Sequence, residues 1–254
     1  MHLYQEYPPH PALARHVACL WTSHALPGAT PVRHRILPDN CIDILWQDRA
    51  PLGFVAGMMS RAHRVETLQP TLTLAVRFLP GAARVFVDLP LHALQDAHPV
   101  LDEIWPRAEA EALAAALWER EQPLRQRLAT LESALLARLR RAPPPASERL
   151  ARAAVRLIDG GGGAVRIDEL ARTLGVSRQH LALQFREQVG LPAKTYAMVS
   201  RFRRAGATLR RQAGQPVDWT RLALDCGYYD QSHLIHAFRQ FADDTPDSFV
   251  QYQK

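Results

Sequence analysis

One sequence pattern occurs twice in the last hundred residues, and it restricts the fold more than any other feature. Each copy starts with a short segment that carries a Leu-Ala pair, passes through a glycine and ends in a capped amphipathic segment. The first copy spans residues 167–185 and the second spans residues 217–238. In both, a leucine and a phenylalanine lie four positions apart, on one face of a helix. The pattern predicts two helix pairs, each with a tight turn at its glycine.

Local signals around these copies predict that the whole C-terminal part is helical. The expected N-caps are Ser147, Asp168, Ser177 and Asp230. The expected helices cover residues 148–158, 169–174, 178–189, 193–212, 217–225 and 231–241, and Pro246 opens a last helical turn. Glycines 160–163 end the first of these helices.

Each helix pair has the features of a helix-turn-helix. Ala171 and Ala223 are small enough for the paired helices to cross closely, which leaves the second helix protruding. Such a helix fits a major groove about 12 Å wide, and polar residues near its N-terminus reach base edges. Double-stranded DNA is the predicted partner. The residues predicted to contact it from the protruding helices and their caps are Ser177, Arg178, Gln179, Ala182, Leu183 and Arg186, and then Asp230, Gln231, Ser232, His233, Ile235, His236 and Arg239.

Positive charge is concentrated in the same region. Residues 166–211 contain ten arginines or lysines and three acidic residues, which leaves +7, against +6 for the whole chain. Phosphate contacts require such a local excess, although solvated helix faces remain an alternative explanation. Four basic residues outside the protruding helices are predicted to contact phosphate: Lys194, Arg201, Arg203 and Arg204.

Residues 147–250 resemble the AraC/XylS family of transcription regulators. The resemblance rests on the two helix-turn-helix copies joined by one long helix, and on the ending Phe238-Arg239-Gln240-Phe241 with Thr245-Pro246 and Phe249. It implies that the two recognition helices enter successive major grooves, with RNA polymerase as a candidate partner. Ala182 and Leu183 stand where family members often have longer polar side chains, so base readout by the first helix is expected to depend on Arg178 and Gln179.

The first hundred residues predict a different kind of structure. Runs such as 17–21, 41–46 and 71–78 are rich in β-branched and aromatic residues, which favours a sheet. Trp21, residues 35–43, Gly57 and residues 77–81 resemble an uncharacterised sensor domain that often accompanies AraC-like DNA-binding domains, which implies that this part binds a small-molecule effector or mediates dimerisation. The candidate ligand-binding residues are Trp21, Arg35, Asp39, Cys41, Asp43, Trp46 and Arg77.

These candidates have structural alternatives. The two tryptophans are more often core residues, and Asp39-Asn40 is typical of an ordinary turn. Arg77 within an apolar strand is more unusual, because burying it requires an acidic or anionic partner.

Between the two parts the composition changes twice. From about Pro106 to Arg141, helix-forming residues dominate, and leucines 124, 128, 131, 135 and 139 form a stripe. The stripe covers little more than two heptads, which favours packing on its own domain over a helix that forms a homodimer. Pro143-Pro144-Pro145 marks a stiff linker. We therefore predict an α+β protein: a β-rich sensor or dimerisation domain with following helices (1–142), a linker (143–146) and an all-α domain of two helix-turn-helix units joined by a long helix (147–254).

Other functional classes receive less support. No apolar run approaches the roughly 20 residues of a membrane span, and the first residues do not resemble a signal peptide, so we expect a cytoplasmic protein without membrane contact. Catalytic residues, metal ligands and cofactors are not predicted, because the three cysteines form no zinc-type pair and aspartates flank Cys41. The alternatives are a nonspecific nucleic-acid binder and, less favoured, a thiol- or metal-dependent enzyme fused to a DNA-binding domain.

Overall fold

A five-stranded antiparallel sheet forms the centre of the N-terminal part. The computed structural model describes residues 2–26, 32–141, 148–212 and 215–251. The strands are β1 (His2–Tyr7), β2 (Val17–Ala25), β3 (Val32–Ile36), β4 (Ile42–Gln47), β5 (Phe54–Ala56), β6 (His63–Thr67) and β7 (Thr71–Phe78). The sheet has the order β1-β2-β7-β4-β5, and β3 pairs with β6 in a separate two-stranded sheet. The predicted strands at 17–21, 41–46 and 71–78 are confirmed.

Alternation along the strands gives the large sheet two different faces. Leu74, Val76 and Phe78 of β7 belong to the main hydrophobic core. Ala75 of β7 lies on the opposite face, in a small apolar cluster with Trp21. Because side chains alternate in a strand, Arg77 shares this second face, which is where the polar ligand candidates of the sheet lie.

Short 3-10 helices and two α-helices cover the first face of the sheet. The 3-10 helices are Pro11–Leu13, Ala83–Phe86, Leu91–Leu94 and Leu101–Glu103, and the α-helices are α1 (Arg107–Trp118) and α2 (Leu124–Arg141). Leu131 and Leu135 of the predicted stripe are completely buried in the core of their own chain, and Leu128 and Leu139 pack against it. The stripe is therefore a core face.

Seven further helices form the C-terminal part, within the described residues. They are α3 (Glu148–Gly160), α4 (Ile167–Thr173), α5 (Arg178–Val189), α6 (Ala193–Arg211), α7 (Trp219–Asp225), α8 (Gln231–Ala242) and α9 (Pro246–Gln251). The predicted α+β class and the predicted succession of helices are confirmed. Asp168 is not the cap of α4, because that helix starts one residue before it and Arg166 occupies the cap position. The predicted proline linker and the Ser147 cap lie outside the described residues.

The two helix-turn-helix units belong to different hydrophobic cores. The first unit contributes Leu181, Phe185 and Val189 to the same core as the sheet and α2. The second unit has its own core around α6, with Phe202, Phe238 and further buried side chains. The first unit is thus built into the N-terminal part, whereas the second is a separate cluster at the other end of α6.

Close backbone approach joins the first unit to the N-terminal part. Gly190 ends α5 with a left-handed φ of 103°. A Cβ atom at this position would lie 3.1 Å from the carbonyl oxygen of Leu91. Glycine therefore satisfies both the left-handed turn and the close contact.

Polar contacts join the N-terminal part to α6 and to the second unit. Asn40 is buried, has a left-handed φ of 63°, and its amide donates to the carbonyl of Tyr196 and to Ser200 Oγ, at 3.1 and 2.9 Å. Arg35 of β3 donates to the carbonyl of Ala242 at 3.0 Å and pairs with Asp244 at 2.7 Å. These contacts hold the end of α8 against the β3–β6 pair.

Candidate nucleic-acid interface

The first helix-turn-helix unit is formed by α4 and α5. Gly175 between them has a φ of 68°, and Ser177 Oγ accepts a hydrogen bond from the backbone N–H of His180 at 3.1 Å. The predicted inward residues of α5 are completely buried. The cap and the turn therefore fix the N-terminus of α5 at the surface.

The outer face of α5 is polar at its start and apolar in its middle. The residues predicted to face the groove, Arg178, Gln179, Ala182, Leu183 and Arg186, are all exposed. Leu183 is 54% exposed, on the outer face of a helix whose inner residues are completely buried. An apolar contact with a thymine methyl group suits such a residue.

An intramolecular ion pair involves one of the predicted base-reading side chains. Arg178 Nε lies 2.7 Å from Asp168 Oδ1 of α4, and both side chains are about half exposed or more. Asp168 thus lies beside α5, where it orients the side chain of Arg178.

The second unit, α7 and α8, repeats this construction. Gly227 has a φ of 80°, and Asp230 Oδ1 accepts a hydrogen bond from the backbone N–H of His233 at 2.7 Å. Leu234, Phe238 and Phe241 are completely buried, as predicted. The predicted groove residues Gln231, Ser232, His236 and Arg239 are exposed, and Ile235 is half-buried.

Two of the predicted contact residues in the second unit have contacts within the protein. Asp230 acts as the cap of α8. His233 packs its ring edge-on against Tyr228, with ring centroids 5.2 Å apart. His233 Nδ1 also accepts a hydrogen bond from the backbone N–H of Tyr229 at 3.4 Å.

Two exposed residues next to the predicted contacts were not among the sequence candidates. Tyr229, immediately before the cap of α8, is 86% exposed. His180 is exposed in the first turn of α5. Their position in the sequence could have identified both, because residues around the N-terminus of a recognition helix are the ones that reach bases and phosphates.

The four predicted phosphate contacts of α6 lie in three different environments. Lys194 is exposed in the first turn of the helix. Arg201 donates to the carbonyl of Gly227 at 3.1 Å, and its guanidinium lies 5.6 Å from the centre of the Tyr228 ring. It therefore stabilises the turn of the second unit. Arg203 and Arg204 line a cleft together with Asp39 and Arg77.

The structure brings four of the seven predicted ligand residues together on the second face of the sheet. Arg77 donates to both carboxylate oxygens of Asp43, at 3.1 and 3.0 Å, and lies 3.4 Å from Asp39. Trp21 Nε1 donates to Asp43 at 3.1 Å. Burial raises the pKa of Asp43 to about 6, and the Arg77 guanidinium opposes this rise. The acidic partner that Arg77 requires is thus supplied by the chain itself.

The other three candidates have different surroundings. Cys41 is next to this cluster, and its backbone N–H donates to Asp39 at 3.0 Å. Burial, followed by the charges of Asp39 and Asp43, raises the pKa of the Cys41 thiol, which disfavours a reactive thiolate. Trp46 is buried in the main core, and Arg35 pairs with Asp244 of the second unit.

Two kinds of feature are absent from the described part of the chain. It contains no group of three histidine, cysteine or acidic side chains placed to hold a metal ion. Within the same ranges, no helix has the length and apolar character needed to cross a membrane.

Comparison with known proteins identified two family models along the chain. Residues 170–252 match a model described as a helix-turn-helix domain. Residues 5–99 match a domain of unknown function (DUF6597). A search of curated proteins found no match.

Matches among solved structures cover different shares of this chain. An AraC-type DNA-binding domain protein from Chromobacterium violaceum is 23% identical, with 42% of this chain and 94% of that chain covered and a TM-score of 0.38. The C-terminal domain of AraT, a response regulator from Geobacillus stearothermophilus, is 18% identical, with coverages of 41% and 84% and a TM-score of 0.37. ToxT from Vibrio cholerae is 10% identical, with coverages of 87% and 97% and a TM-score of 0.46. The family model, rather than these structures, carries the assignment of the domain type.

Proposed function

We propose that this chain is a transcription regulator with an AraC-type DNA-binding domain in its helix-turn-helix region, and that it reads two successive segments of duplex DNA with α5 and α8. One observation carries the proposal: each helix is anchored by a buried leucine and phenylalanine and leaves a polar face exposed at its N-terminal end. A helix held in this way can enter a major groove without disturbing the core behind it.

The two recognition helices are suited to different base readout. Arg178 and Gln179 suit guanine and adenine edges, which accept paired hydrogen bonds from these side chains. Ala182 and Leu183 suit thymine methyl groups. In α8, Gln231, Ser232, His236 and Arg239 offer polar readout along two turns of the helix.

Contacts to the DNA backbone would position these helices. Lys194 is exposed at the start of α6, outside both recognition helices, and suits a phosphate. The free N–H groups and the positive dipole end of α5 and α8, each 12 residues long, suit phosphates as well.

Control of DNA binding by the N-terminal part belongs to the same proposal. The first unit shares its core with the sheet, and the end of α8 pairs with β3. A change in the N-terminal part would therefore alter the spacing between α5 and α8. A small-molecule effector is the favoured signal over a homodimer formed by α2, because the leucine stripe of α2 is buried within its own chain. A cytoplasmic location, with access to DNA and RNA polymerase, is part of the proposal.

Selection from random duplex DNA by the full chain, at physiological salt, tests this function. We expect enrichment of a motif with two half-elements about one helical turn, roughly 10 base pairs, apart. A motif with one half-element would contradict readout by one of the two helices. Absence of enrichment, with retained binding to unrelated competitor DNA, would indicate a nonspecific binder.

A further inference from the structure

A cleft of about 720 Å³ lies between α6 and the N-terminal part. Leu37 and Pro38, between β3 and β4, and Phe249 of α9 are part of its lining. Its charged lining consists of four arginines and two aspartates, an excess of two positive charges: Arg77, Arg203, Arg204, Arg210, Asp39 and Asp159.

Both carboxylates in this cleft already have partners. Asp39 pairs with Arg77. Asp159 accepts hydrogen bonds from the hydroxyls of Tyr196 and Ser200, both at 2.9 Å. Neither carboxylate lies within ion-pair distance of an arginine of α6 in the described residues.

The three arginines that α6 contributes to the cleft have no such partner within the described residues. Within the described ranges, the side chains of Arg203, Arg204 and Arg210 form no ion pair and no side-chain hydrogen bond with the protein. Gly162 leaves room for one of them, because a Cβ atom there would lie 2.6 Å from Arg204 Nη1. All three residues are exposed, and their like charges beside one cleft would attract an anion.

We infer that this cleft binds a small organic anion with a phosphate or carboxylate head. Guanidinium groups match both heads, because they donate two parallel hydrogen bonds to paired oxygens. Leu37 and Ala207 in the lining are half-buried and offer apolar surface to the rest of the molecule. Such a ligand would contact α6 and β7 together and would thus link the N-terminal part to the helix between the two units. This inference rests on the proposed control of DNA binding, and it names the ligand class and the binding site of that control. Arg203 and Arg204 are thereby assigned to this ligand rather than to DNA phosphate.

Calorimetric titration of the full chain at low salt tests the site, with phenyl phosphate as the probe. We expect one molecule to bind per chain, at least fivefold more tightly than inorganic phosphate, and no binding of the neutral benzyl alcohol. The double variant Arg203→Gln/Arg210→Gln should bind phenyl phosphate at least tenfold more weakly. Arg140→Gln, on the exposed face of α2, is the matched control and should change the affinity less than twofold. Equal affinity of the wild type and the double variant would overturn the site, and equal affinity for the two phosphates would overturn an organic ligand.

Binding of the same variants to DNA separates this inference from the proposed function. Without phenyl phosphate, the double variant should retain the DNA affinity of the wild type within about twofold. Uniform loss of affinity for all DNA sequences, with a weaker salt dependence, would assign the arginines to DNA phosphates and overturn the inference. Binding of phenyl phosphate by a chain that selects no DNA motif would leave the site standing and overturn the proposed function.

Discussion

Arg35 and Asp244, 209 positions apart in the sequence, form an ion pair of 2.7 Å that links β3 to the segment after α8. Both side chains are largely shielded from solvent, at 22% and 13% exposed. Arg35 also donates to the carbonyl of Ala242, the last residue of α8. One guanidinium therefore caps a recognition helix and attaches it to the N-terminal part.

Replacing Arg35 by alanine should loosen the second unit. We expect a loss of about 1–3 kcal/mol in the free energy of unfolding, because a shielded carboxylate and a helix-end carbonyl lose their donor. Urea unfolding and amide hydrogen exchange in α8 and α9 measure the effect. Arg33→Ala is the control: its pair with Glu66 is 82% and 45% exposed, and its loss should cost about 0–1 kcal/mol. Equal effects of both substitutions would contradict the role of Arg35.

Asn40 should be hard to replace, because it combines a left-handed backbone with two buried hydrogen bonds. We expect Asn40→Ala to destabilise the fold by about 2–4 kcal/mol, the sum of lost hydrogen bonds and backbone strain. Asn40→Gly loses the hydrogen bonds and keeps the backbone relaxed, so it should cost about 1 kcal/mol less than alanine. Chemical denaturation of both variants tests this. The strain argument fails if glycine is no better than alanine.

Arg77→Gln should destabilise the protein more at pH 8 than at pH 5. Burial raises the folded-state pKa of Asp43 to about 6 even with Arg77 present, and removing the cation raises it further. A carboxyl group whose pKa is higher in the folded than in the unfolded state stabilises the fold at pH values below the unfolded-state pKa of about 4. This stabilisation is lost as the pH rises through the folded-state pKa.

Urea unfolding at both pH values measures this dependence. At pH 8 the variant retains a buried carboxylate without its cation, and we expect a loss of about 3 kcal/mol. At pH 5 the protonated carboxyl should reduce that loss. The exposed Arg49, replaced by glutamine, is the control and should show a small effect at both pH values. If the loss of unfolding free energy caused by Arg77→Gln does not grow between pH 5 and pH 8, the stabilising role of the Arg77–Asp43 ion pair is contradicted.

Arg178→Ala and Gln179→Ala should each relax base preference in one half of the selected motif. The wild type should bind its selected site more tightly than a site altered in that half. Each variant should lose about 1–3 kcal/mol of this difference in binding free energy. Competition binding with permuted duplexes measures this difference. Arg140→Ala, far from α5 in the sequence and exposed on α2, should leave the preference unchanged. Unaltered base preference in both recognition-helix variants would show that α5 does not read bases.

Lys194→Ala should act differently from those variants. A phosphate contact contributes no sequence information, so we expect equal weakening for all duplexes. The slope of log affinity against log salt should fall by about 0.9, the contribution of one phosphate contact. Binding isotherms at several salt concentrations provide both values. A change in base preference would assign Lys194 to a base instead.

Local signals predicted most of the secondary structure. The capped start of α5 at Ser177 and of α8 at Asp230 could be predicted because a cap is a contact over three residues. The fully buried residues of both helices follow from their spacing. The predicted cap at Asp168 is wrong because α4 begins one residue earlier, at Ile167, and the Asp168 carboxylate pairs with Arg178 instead.

Contacts between distant segments could not be predicted in this way. The pattern identified Arg77 as needing an acidic partner, but not which one. Arg35 was predicted as a ligand residue, whereas its observed partner Asp244 belongs to the other end of the chain. For Asn40, the turn is a local feature that the sequence predicts, whereas its hydrogen bonds to the distant helix α6 are not predicted.

The shared core of the first unit has a consequence for synthesis on the ribosome. The N-terminus of the chain is synthesised first, so the sheet and α2 are synthesised before α5. Until about residue 197 has left the ribosome, no segment of the chain covers the apolar surface that later packs against Phe185 and Tyr196. The second unit, with its own core from Val199 to Phe249, collapses afterwards as a separate event. A nascent chain that pauses after residue 197 and before Phe249 has already packed α5 into its core and has not yet packed α8.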